Sequence, residues 1–365
     1  MINLNIESFE SWSGVKDRPY IVAGPCSAET EEQVLAIAKE LQGKQVDVMR
    51  AGIWKPRTRP NSFEGIGEEG LAWLKTAKEE FGHKIGTEVA KPEHVELALK
   101  YGVDVLWIGA RTSVNPFAVQ EIADSLKGVD VPVLVKNPIN PDTQLWVGAL
   151  ERINQAGITK LAAIHRGCST YQKIRYRNMP MWNMAIELKR LVPGLPIIND
   201  PSHIAGQRAL IQEVSQRAMD LGLDGLMIET HINPDEAWSD AKQQVTPDVL
   251  SEILGSLKIR NASSDSVEFN ESLEDLREQI DGIDKDILEV LASRMKVVEK
   301  IGEYKRDNNV TTLQSSRWDA LLKDRQEAGS AFDLTPEFVK GIYEEIHKAS
   351  IKKQSEIMNS ENINA

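Results

Sequence analysis

Apolar stretches of strand length alternate with amphipathic helical segments through the first 257 residues of the chain. The predicted strands are Tyr20–Ala23, Val46–Arg50, Ile85–Glu88, Val105–Ile108, Val133–Lys136, Lys160–Ile164, Ile197–Asn199 and Gly225–Glu229. Eight strands, each followed by a helical pattern such as 30–42 or 68–81, are typical of an α/β protein with a (β/α)₈ TIM barrel. A doubly wound open sheet is the alternative, but no G-x-G-x-x-G follows any strand.

A second, all-helical region follows a polar, Ser-rich segment that is predicted to be a linker over residues 258–270. Apolar residues at helical spacing predict one helix from Glu271 to Arg306, capped by Ser272 and about 54 Å long. Shorter helices over 314–328 and 335–358 complete a three-helix domain, and 359–365 are predicted to be a disordered tail. Three helices are too thin to bury their apolar faces alone, so we expect an intertwined homodimer, with a higher oligomer of the barrel left open.

Charge and cysteine content limit the partners. A net charge of −12 argues against nucleic acid and anionic membranes, and no run reaches the ~20 apolar residues of a membrane span. The two cysteines cannot build a disulfide framework. We therefore expect a cytoplasmic enzyme that acts on small molecules.

Charged or ligating side chains follow every predicted strand, where the active face of a barrel lies. They are Cys26, Arg50, Lys55, Arg57, Glu88, Arg111, Lys136, His165, Arg166, Asp200, His203, Glu229 and Asp240. One thiolate, one imidazole and two carboxylates (Cys26, His203, Glu229 and Asp240) suit a divalent metal such as Mn²⁺, Fe²⁺, Co²⁺ or Zn²⁺. The remaining cations can surround phosphate or carboxylate groups, which predicts small, multiply anionic substrates.

The order of these motifs resembles 3-deoxy-D-arabino-heptulosonate 7-phosphate (DAHP) synthase of the type Iβ subclass. The matching segments are Gly24-Pro-Cys-Ser27, Met49-Arg50-Ala-Gly, Lys55-Pro-Arg-Thr58, Ile108-Gly-Ala-Arg111, His165-Arg-Gly167, Asp200-Pro-Ser-His203 and Glu229-Thr-His231. The resemblance implies condensation of phosphoenolpyruvate with erythrose 4-phosphate, with Mn²⁺ as the expected metal. It places the metal on the four residues named above.

The same resemblance assigns the substrates. Phosphoenolpyruvate would contact Arg50, Lys55, Arg111, Lys136 and Arg166, and erythrose 4-phosphate would contact Lys55, Pro56, Arg57 and Thr58. Lys136 or Glu88 would order water or move a proton, and the residues leave that choice open. The alternative is 3-deoxy-D-manno-octulosonate 8-phosphate synthase, whose aldose loop resembles Lys-Ala-Asn-Arg-Ser rather than the Lys55-Pro-Arg-Thr58 found here.

The helical region resembles the all-helical chorismate mutases. The residues that carry the match and would contact chorismate or prephenate are Arg277, Arg294, Lys305, Gln314, Arg317, Ser350 and Gln354. The resemblance implies that Arg294, Lys305 and Gln354 are catalytic, although Gln314 stands where the family often has Asp. Arg277 and Arg294 are about 25 Å apart along one helix, so one of them, by resemblance Arg277, is expected from the second chain.

Two hypotheses remain for this helical domain. It is either a working mutase or a non-catalytic module that binds a pathway product and regulates the barrel. Both roles can coexist if prephenate bound to the helices restrains the barrel.

Overall fold

The structure, a computed structural model, describes residues 2–55, 63–171, 173–261, 263–313 and 315–359. The chain divides into two compact units, Met1–Ala262 and Ser263–Ala365. In the described part of the chain, no helix combines the length and apolar character needed to cross a membrane.

The first unit is a closed barrel of parallel strands in sequence order, which confirms the predicted TIM barrel. The strands are β1 (Tyr20–Gly24), β2 (Val48–Arg50), β3 (Ile85–Val89), β4 (Val105–Ile108), β5 (Val133–Lys136), β6 (Leu161–His165), β7 (Ile197–Asn199) and β8 (Gly225–Glu229). Strand β1 pairs with β2 on one side and with β8 on the other, and this last pairing closes the sheet.

Helices surround this sheet. They are α1 (Phe9–Ser13), α2 (Glu31–Leu41), α3 (Glu68–Phe81), α4 (Pro92–Lys100), α5 (Pro116–Ser125), α6 (Thr143–Gln155), α7 (Trp182–Leu191), α8 (Pro201–Ala205), α9 (Ile211–Asp220) and α10 (Pro247–Ser256), with 3₁₀ turns at Arg208–Leu210, Pro234–Glu236 and Ala241–Gln243. The side chain of Thr30 caps α2 by accepting the Gln33 N–H. The helices cover the outer apolar face of the sheet, as a parallel barrel requires.

A separate apolar cluster fills the barrel interior, with Trp107 and Tyr20 among its largest members. Phe9 and Trp12 of α1 pack edge-on against each other and against Tyr20. Because Tyr20 begins β1, these rings close the amino-terminal end of the barrel. The opposite, carboxyl-terminal end is left for polar side chains.

The second unit consists of α11 (Val267–Asp307), α12 (Ser315–Ser330) and α13 (Pro336–Asn359). Helix α11 has 41 residues and begins where the hydroxyl of Ser266 accepts the Phe269 N–H. The helix therefore begins about one turn before the predicted Glu271, within the predicted linker, and the predicted cap at Ser272 is wrong because it lies inside the helix. The predicted tail, apart from Asn359 in α13, lies outside the described residues.

Gly24 offers a direct test of barrel packing. It has φ 147°, and an added Cβ would overlap the backbone oxygen of Arg50. We expect Gly24→Ala to lower the free energy of unfolding by more than about 3 kcal/mol. Gly128, with φ 77° and open space around it, is the matched control, and Gly128→Ala should cost only about 1 kcal/mol. Equal losses in chemical denaturation would contradict this packing account.

Candidate functional site

Four residues predicted as metal ligands converge at the carboxyl end of the barrel. Donor atoms of Cys26, Glu229 and Asp240 lie within 4.8 Å of one another. The Cys26 sulfur is 3.3 Å from Asp240 Oδ2, and His203 Nε2 is 3.8 Å from Glu229 Oε1. These residues come from the loop after β1, from α8, from the end of β8 and from the loop beyond it.

The orientation of His203 suits a metal ligand. Its Nδ1 lies 3.0 Å from Asp200 Oδ1, so a ring proton on Nδ1 is donated to this carboxylate. The Nε2 lone pair then faces Glu229. Burial lowers the pKa of His203, which favours the neutral imidazole that metal binding requires.

Cationic and amide groups hold the two carboxylates in their ionised form. Burial opposes ionisation of Glu229, but positive charge, on His203 when its ring is protonated and on Arg50, brings its pKa below the ordinary value, and Arg177 does the same for half-buried Asp240. Gln243 Nε2 donates to Glu229 Oε2 at 2.7 Å. Within the described residues, the buried Glu229 Oε1 has no hydrogen-bond donor, which leaves it available to a cation.

The thiol of Cys26 is the fourth donor. Burial, followed by the charge of Glu229, raises its pKa to about 12. Lys55 Nζ contacts the sulfur and donates to the Cys26 carbonyl at 3.0 Å. A thiol, an imidazole and two ionised carboxylates at these separations fit a divalent transition metal, whose charge favours the thiolate.

Arg50 brings unpaired donors to the same end of the barrel. Its side chain is only 3% exposed, and its Nη2 lies 3.4 Å from Glu229 Oε1 and 3.2 Å from the Cys26 carbonyl. The guanidinium carbon lies 4.9 Å from the centre of the Trp107 ring. Its buried Nε and Nη1 find no acceptor in the described part of the chain. Buried charged donors without acceptors are costly, so an external oxyanion is their natural partner.

The other predicted oxyanion residues lie at the ends of neighbouring strands. Lys136 Nζ lies 2.7 Å from Asp200 Oδ2, in a buried ion pair. Burial lowers the pKa of Arg166 to about 10, and Glu88 Oε2 accepts the Trp107 indole N–H at 2.9 Å. Arg111 is exposed beyond β4. Pro56, Arg57 and Thr58, predicted for the aldose phosphate, lie outside the described residues, as does Gln314.

The helical unit has its own cavity of about 170 Å³. Its lining includes the five described residues predicted to contact substrate within one chain: Arg294, Lys305, Arg317, Ser350 and Gln354. Arg294 Nη1 donates to Ser350 Oγ at 2.7 Å, and Lys305 Nζ donates to the Thr312 carbonyl at 2.6 Å. The buried Gln354 Oε1 lacks a hydrogen-bond donor among the described residues.

Charge in this cavity favours an anion. None of the described residues that line it is Asp or Glu, whereas three are Arg or Lys. Arg277 is not in the lining; it is exposed and 3.3 Å from Glu274 on the same helix. A single chain therefore supplies only part of the predicted residue set.

Several site residues were missed at the sequence level. Trp318 and His347 stack at 4.0 Å in the helical cavity, and burial, with Arg294 and Lys305, lowers the pKa of His347. In the barrel, the roles of Asp200, Gln243 and Arg177 in holding the metal-ligand candidates were also missed. Of these three residues, only Asp200 could have been assigned its role from the sequence, because it stands three residues before His203, close enough for its carboxylate to reach the histidine ring.

Much of the apolar face of α11 is exposed in the single chain. Ile280, Ile283, Ile287 and Val290 are each at least half exposed. A groove between α11 and α13 continues this surface and is lined mainly by apolar side chains. Such an extended apolar area is characteristic of an interface.

Comparison with known proteins agrees with this division of the chain. Residues 3–262 match the DAHP synthetase I family, and residues 276–355 match chorismate mutase type II. The phospho-2-dehydro-3-deoxyheptonate aldolase of Thermotoga maritima is 34% identical over 238 residues, which cover 65% of this chain and 68% of that protein. The 2-dehydro-3-deoxyphosphooctonate aldolase of Wolinella succinogenes is 27% identical, covering 65% of this chain and 97% of the relative.

The fold is likewise similar to solved structures. A crystal structure of the Thermotoga maritima phospho-2-dehydro-3-deoxyheptonate aldolase aligns with a TM-score of 0.59 and 32% identity, covering 66% of this chain and 68% of that one. A truncated form of 3-deoxy-D-arabino-heptulosonate 7-phosphate synthase from Thermotoga maritima aligns with a TM-score of 0.57 and 29% identity, covering 66% and 85%.

The two cysteines allow a matched test of the cation site. Cys26 belongs to the donor cluster, whereas Cys168 is buried beside Met184 and Asn137. In titration calorimetry of chelator-treated protein, Cys26→Ala should weaken Mn²⁺ binding at least about tenfold, because it removes a donor. Cys168→Ala should bind Mn²⁺ like the unaltered chain. Equal affinities for both variants would contradict a site built on Cys26.

Proposed function

The chain belongs to the DAHP synthetase I family and carries a chorismate mutase type II domain, and on this premise we propose how its residues perform the two reactions. It is a 3-deoxy-7-phosphoheptulonate synthase and a chorismate mutase. In the first reaction, phosphoenolpyruvate and erythrose 4-phosphate combine with water to give DAHP and phosphate. In the second, chorismate rearranges to prephenate.

The unpaired donors of Arg50 carry the proposal for the phosphoenolpyruvate site. Two buried guanidinium nitrogens need an acceptor, and a carboxylate or phosphate oxygen supplies it. Lys55, Arg111, Lys136 and Arg166 complete the set of cations around the substrate. Because these groups are held by the barrel strands and their loops, they fix the enol carbon in one orientation before reaction.

The metal proposal rests on Cys26, His203, Glu229 and Asp240, which would hold one divalent ion. Mn²⁺ is the expected ion, and Fe²⁺, Co²⁺ and Zn²⁺ suit the same donors. When bound, such an ion supplies a Lewis acid for the aldehyde oxygen of the second substrate. Lys55, with Pro56, Arg57 and Thr58, would hold the phosphate of that aldose and so direct its aldehyde to the same end of the barrel.

Carbon–carbon bond formation leaves a cationic carbon on the former phosphoenolpyruvate. Water adds to this carbon, and phosphate leaves with its bridging oxygen. Lys136, paired with Asp200 at 2.7 Å, and Glu88, held by the Trp107 indole, are the groups proposed to order this water or move its proton. Both are fixed by a hydrogen-bond partner, as a proton-transfer group must be.

The aldose can be tested directly, because relatives named 2-dehydro-3-deoxyphosphooctonate aldolase also match the barrel. With phosphoenolpyruvate and Mn²⁺, we expect turnover with erythrose 4-phosphate and at least about a hundredfold lower kcat/KM with arabinose 5-phosphate, since specificity is a ratio of kcat/KM values. Loss of phosphoenolpyruvate absorbance measures both rates. Higher kcat/KM for arabinose 5-phosphate would favour the alternative enzyme.

The helical cavity suits a rearrangement that needs no nucleophile. Arg294 and Arg277 would bind the two carboxylates of chorismate, and Lys305 and Gln354 would donate to the ether oxygen as charge develops there. Ser350, which accepts from Arg294, would orient that guanidinium, while Arg317 and Gln314 would complete the contacts. Catalysis then consists of holding a compact conformer of the substrate.

A homodimer is part of this proposal. Arg277 and Arg294 are 17 residues apart, about 25 Å along α11, which is too far for one small molecule. The exposed apolar face of α11 would bury itself against a second copy, and the second copy would bring its own Arg277 to the cavity. The cavity of one chain is then completed by the other.

Subunit complementation tests the shared site. Arg277→Ala and Arg294→Ala should each abolish chorismate turnover as homodimers. After the two inactive proteins are unfolded and refolded together, half of the dimers are mixed and each contains one intact site, so about a quarter of the full activity should return. If no activity returns although mixed dimers form, both arginines belong to the same chain.

Feedback is the last element of the proposal. Prephenate bound in the helical cavity would restrain the barrel through the segment that joins the two domains. We expect prephenate to slow phosphoenolpyruvate consumption in the full chain, and Arg294→Ala to remove this inhibition while the barrel keeps its rate. Equal inhibition of the variant would indicate a different binding site. No effect on the unaltered chain would leave two independent catalysts.

A further inference from the structure

Two loops at the carboxyl end of the barrel are joined by a buried contact around Glu29. Glu29 lies in the loop after β1 and is 4% exposed. Its Oε1 accepts the Trp238 backbone N–H at 2.8 Å, and its Oε2 lies 3.5 Å from His231 Nε2. Trp238 and His231 both belong to the loop after β8. One carboxylate thus contacts that loop at two places.

The tautomer of His231 follows from its other nitrogen. Nδ1 accepts the Asn233 backbone N–H at 3.0 Å, so in the neutral ring the proton is on Nε2. Within the described residues this nitrogen makes no hydrogen bond, and Glu29 Oε2 is the charged group beside it, at 3.5 Å. A carboxylate at position 29 offers one acceptor oxygen to each of the two contacts, which an amide does not.

Further contacts join the same loops. Ser27 Oγ is 2.6 Å from Ser239 Oγ. Gln244 accepts the Cys26 backbone N–H at 3.0 Å and donates to the Ser239 carbonyl at 2.8 Å. These bonds lie directly beside Cys26 on one loop and Asp240 on the other, so they set the separation of the two candidate donors.

Asp240 also has a backbone conformation that needs support. Its φ of 50° lies in the left-handed region, which is unfavourable for a residue with a side chain. Such conformations persist when the surroundings hold them. The contacts of Glu29 with Trp238 and His231 fix the segment that leads into Asp240.

We propose that Glu29 is a positioning residue for the metal site, acting through the loop after β8 to hold Asp240 against Cys26. This inference rests on the proposed metal-binding function of the four donors. In the described part of the chain, the Glu29 carboxylate contacts Trp238 and His231 rather than the four candidate donors. Its effect is on how well the two loops are pre-organised for the ion, and the loss typical of disturbing an outer partner of a metal ligand is about 10- to 100-fold in affinity.

The experiment compares Mn²⁺ affinity in three variants by titration calorimetry of chelator-treated full chain. Glu29→Ala should weaken binding by more than about tenfold. Glu29→Gln keeps one acceptor for the Trp238 N–H but turns an amide N–H towards His231. Its Mn²⁺ affinity should therefore lie between that of the unaltered chain and that of Glu29→Ala. Glu32→Ala, at an exposed position in the first turn of α2, is the control and should bind like the unaltered chain.

Chorismate turnover by the same samples reports on the integrity of the helical domain, and the thermal transition reports on the barrel. The proposal expects both to stay near their original values in Glu29→Gln while Mn²⁺ affinity falls. Unchanged Mn²⁺ affinity in Glu29→Gln and Glu29→Ala, with Cys26→Ala still impaired, would overturn the inference alone. Equal Mn²⁺ affinity in Cys26→Ala and the unaltered chain would overturn the metal site and this inference with it.

Discussion

Closure of the sheet by the parallel pairing of β1 with β8 is the constraint on which the rest of the barrel depends. In this register Gly24 lies opposite Glu229, so the first and last strands end at the same level. The chain then continues from β1 to Cys26 and from β8 towards Asp240. Residues about two hundred positions apart in sequence become neighbours, and the donor cluster follows directly from the topology.

Gathering so many charged groups in one place is costly, and the site limits this cost by alternating their signs. Lys136 and Asp200 form a buried ion pair, the half-buried His203 ring contacts the same carboxylate, and Arg50 faces Glu229 beside them. Desolvation alone would neutralise these groups, but each has a partner of opposite charge or a hydrogen-bond partner. The two N–H groups of Arg50 that make no hydrogen bond in the described part of the chain are those that the proposed substrate would use. The helical cavity differs because its described lining has cations without carboxylates, so the balancing negative charge would come from the proposed anionic substrate.

Much of this arrangement is predictable from sequence because it follows local rules. Strand periodicity, with Gly and Pro at strand ends, located every strand of the barrel, and the active-face rule then selected Cys26, His203 and Glu229. Partners such as Gln243 for Glu229 were not predictable, because a Gln in a 3₁₀ turn has no periodic signal and nothing in the sequence shows which residue it will bond. The start of α11 was misplaced because more than one Ser in this stretch can cap a helix, and it is the Ser266 hydroxyl that accepts the Phe269 N–H. In the proposed homodimer Arg277 would act in the cavity of a second chain, and no pattern within one chain determines that placement.

We propose that the barrel brings one metal ion and phosphoenolpyruvate together at the ends of β1, β2 and β8. Anomalous X-ray diffraction from crystals of the full chain grown with Mn²⁺ and phosphoenolpyruvate is the direct test of this arrangement. We expect one anomalous peak coordinated by Cys26, His203, Glu229 and Asp240, with a substrate oxyanion on the free guanidinium nitrogens of Arg50. An ion bound by other residues, or a substrate that leaves those nitrogens unpaired, would contradict it.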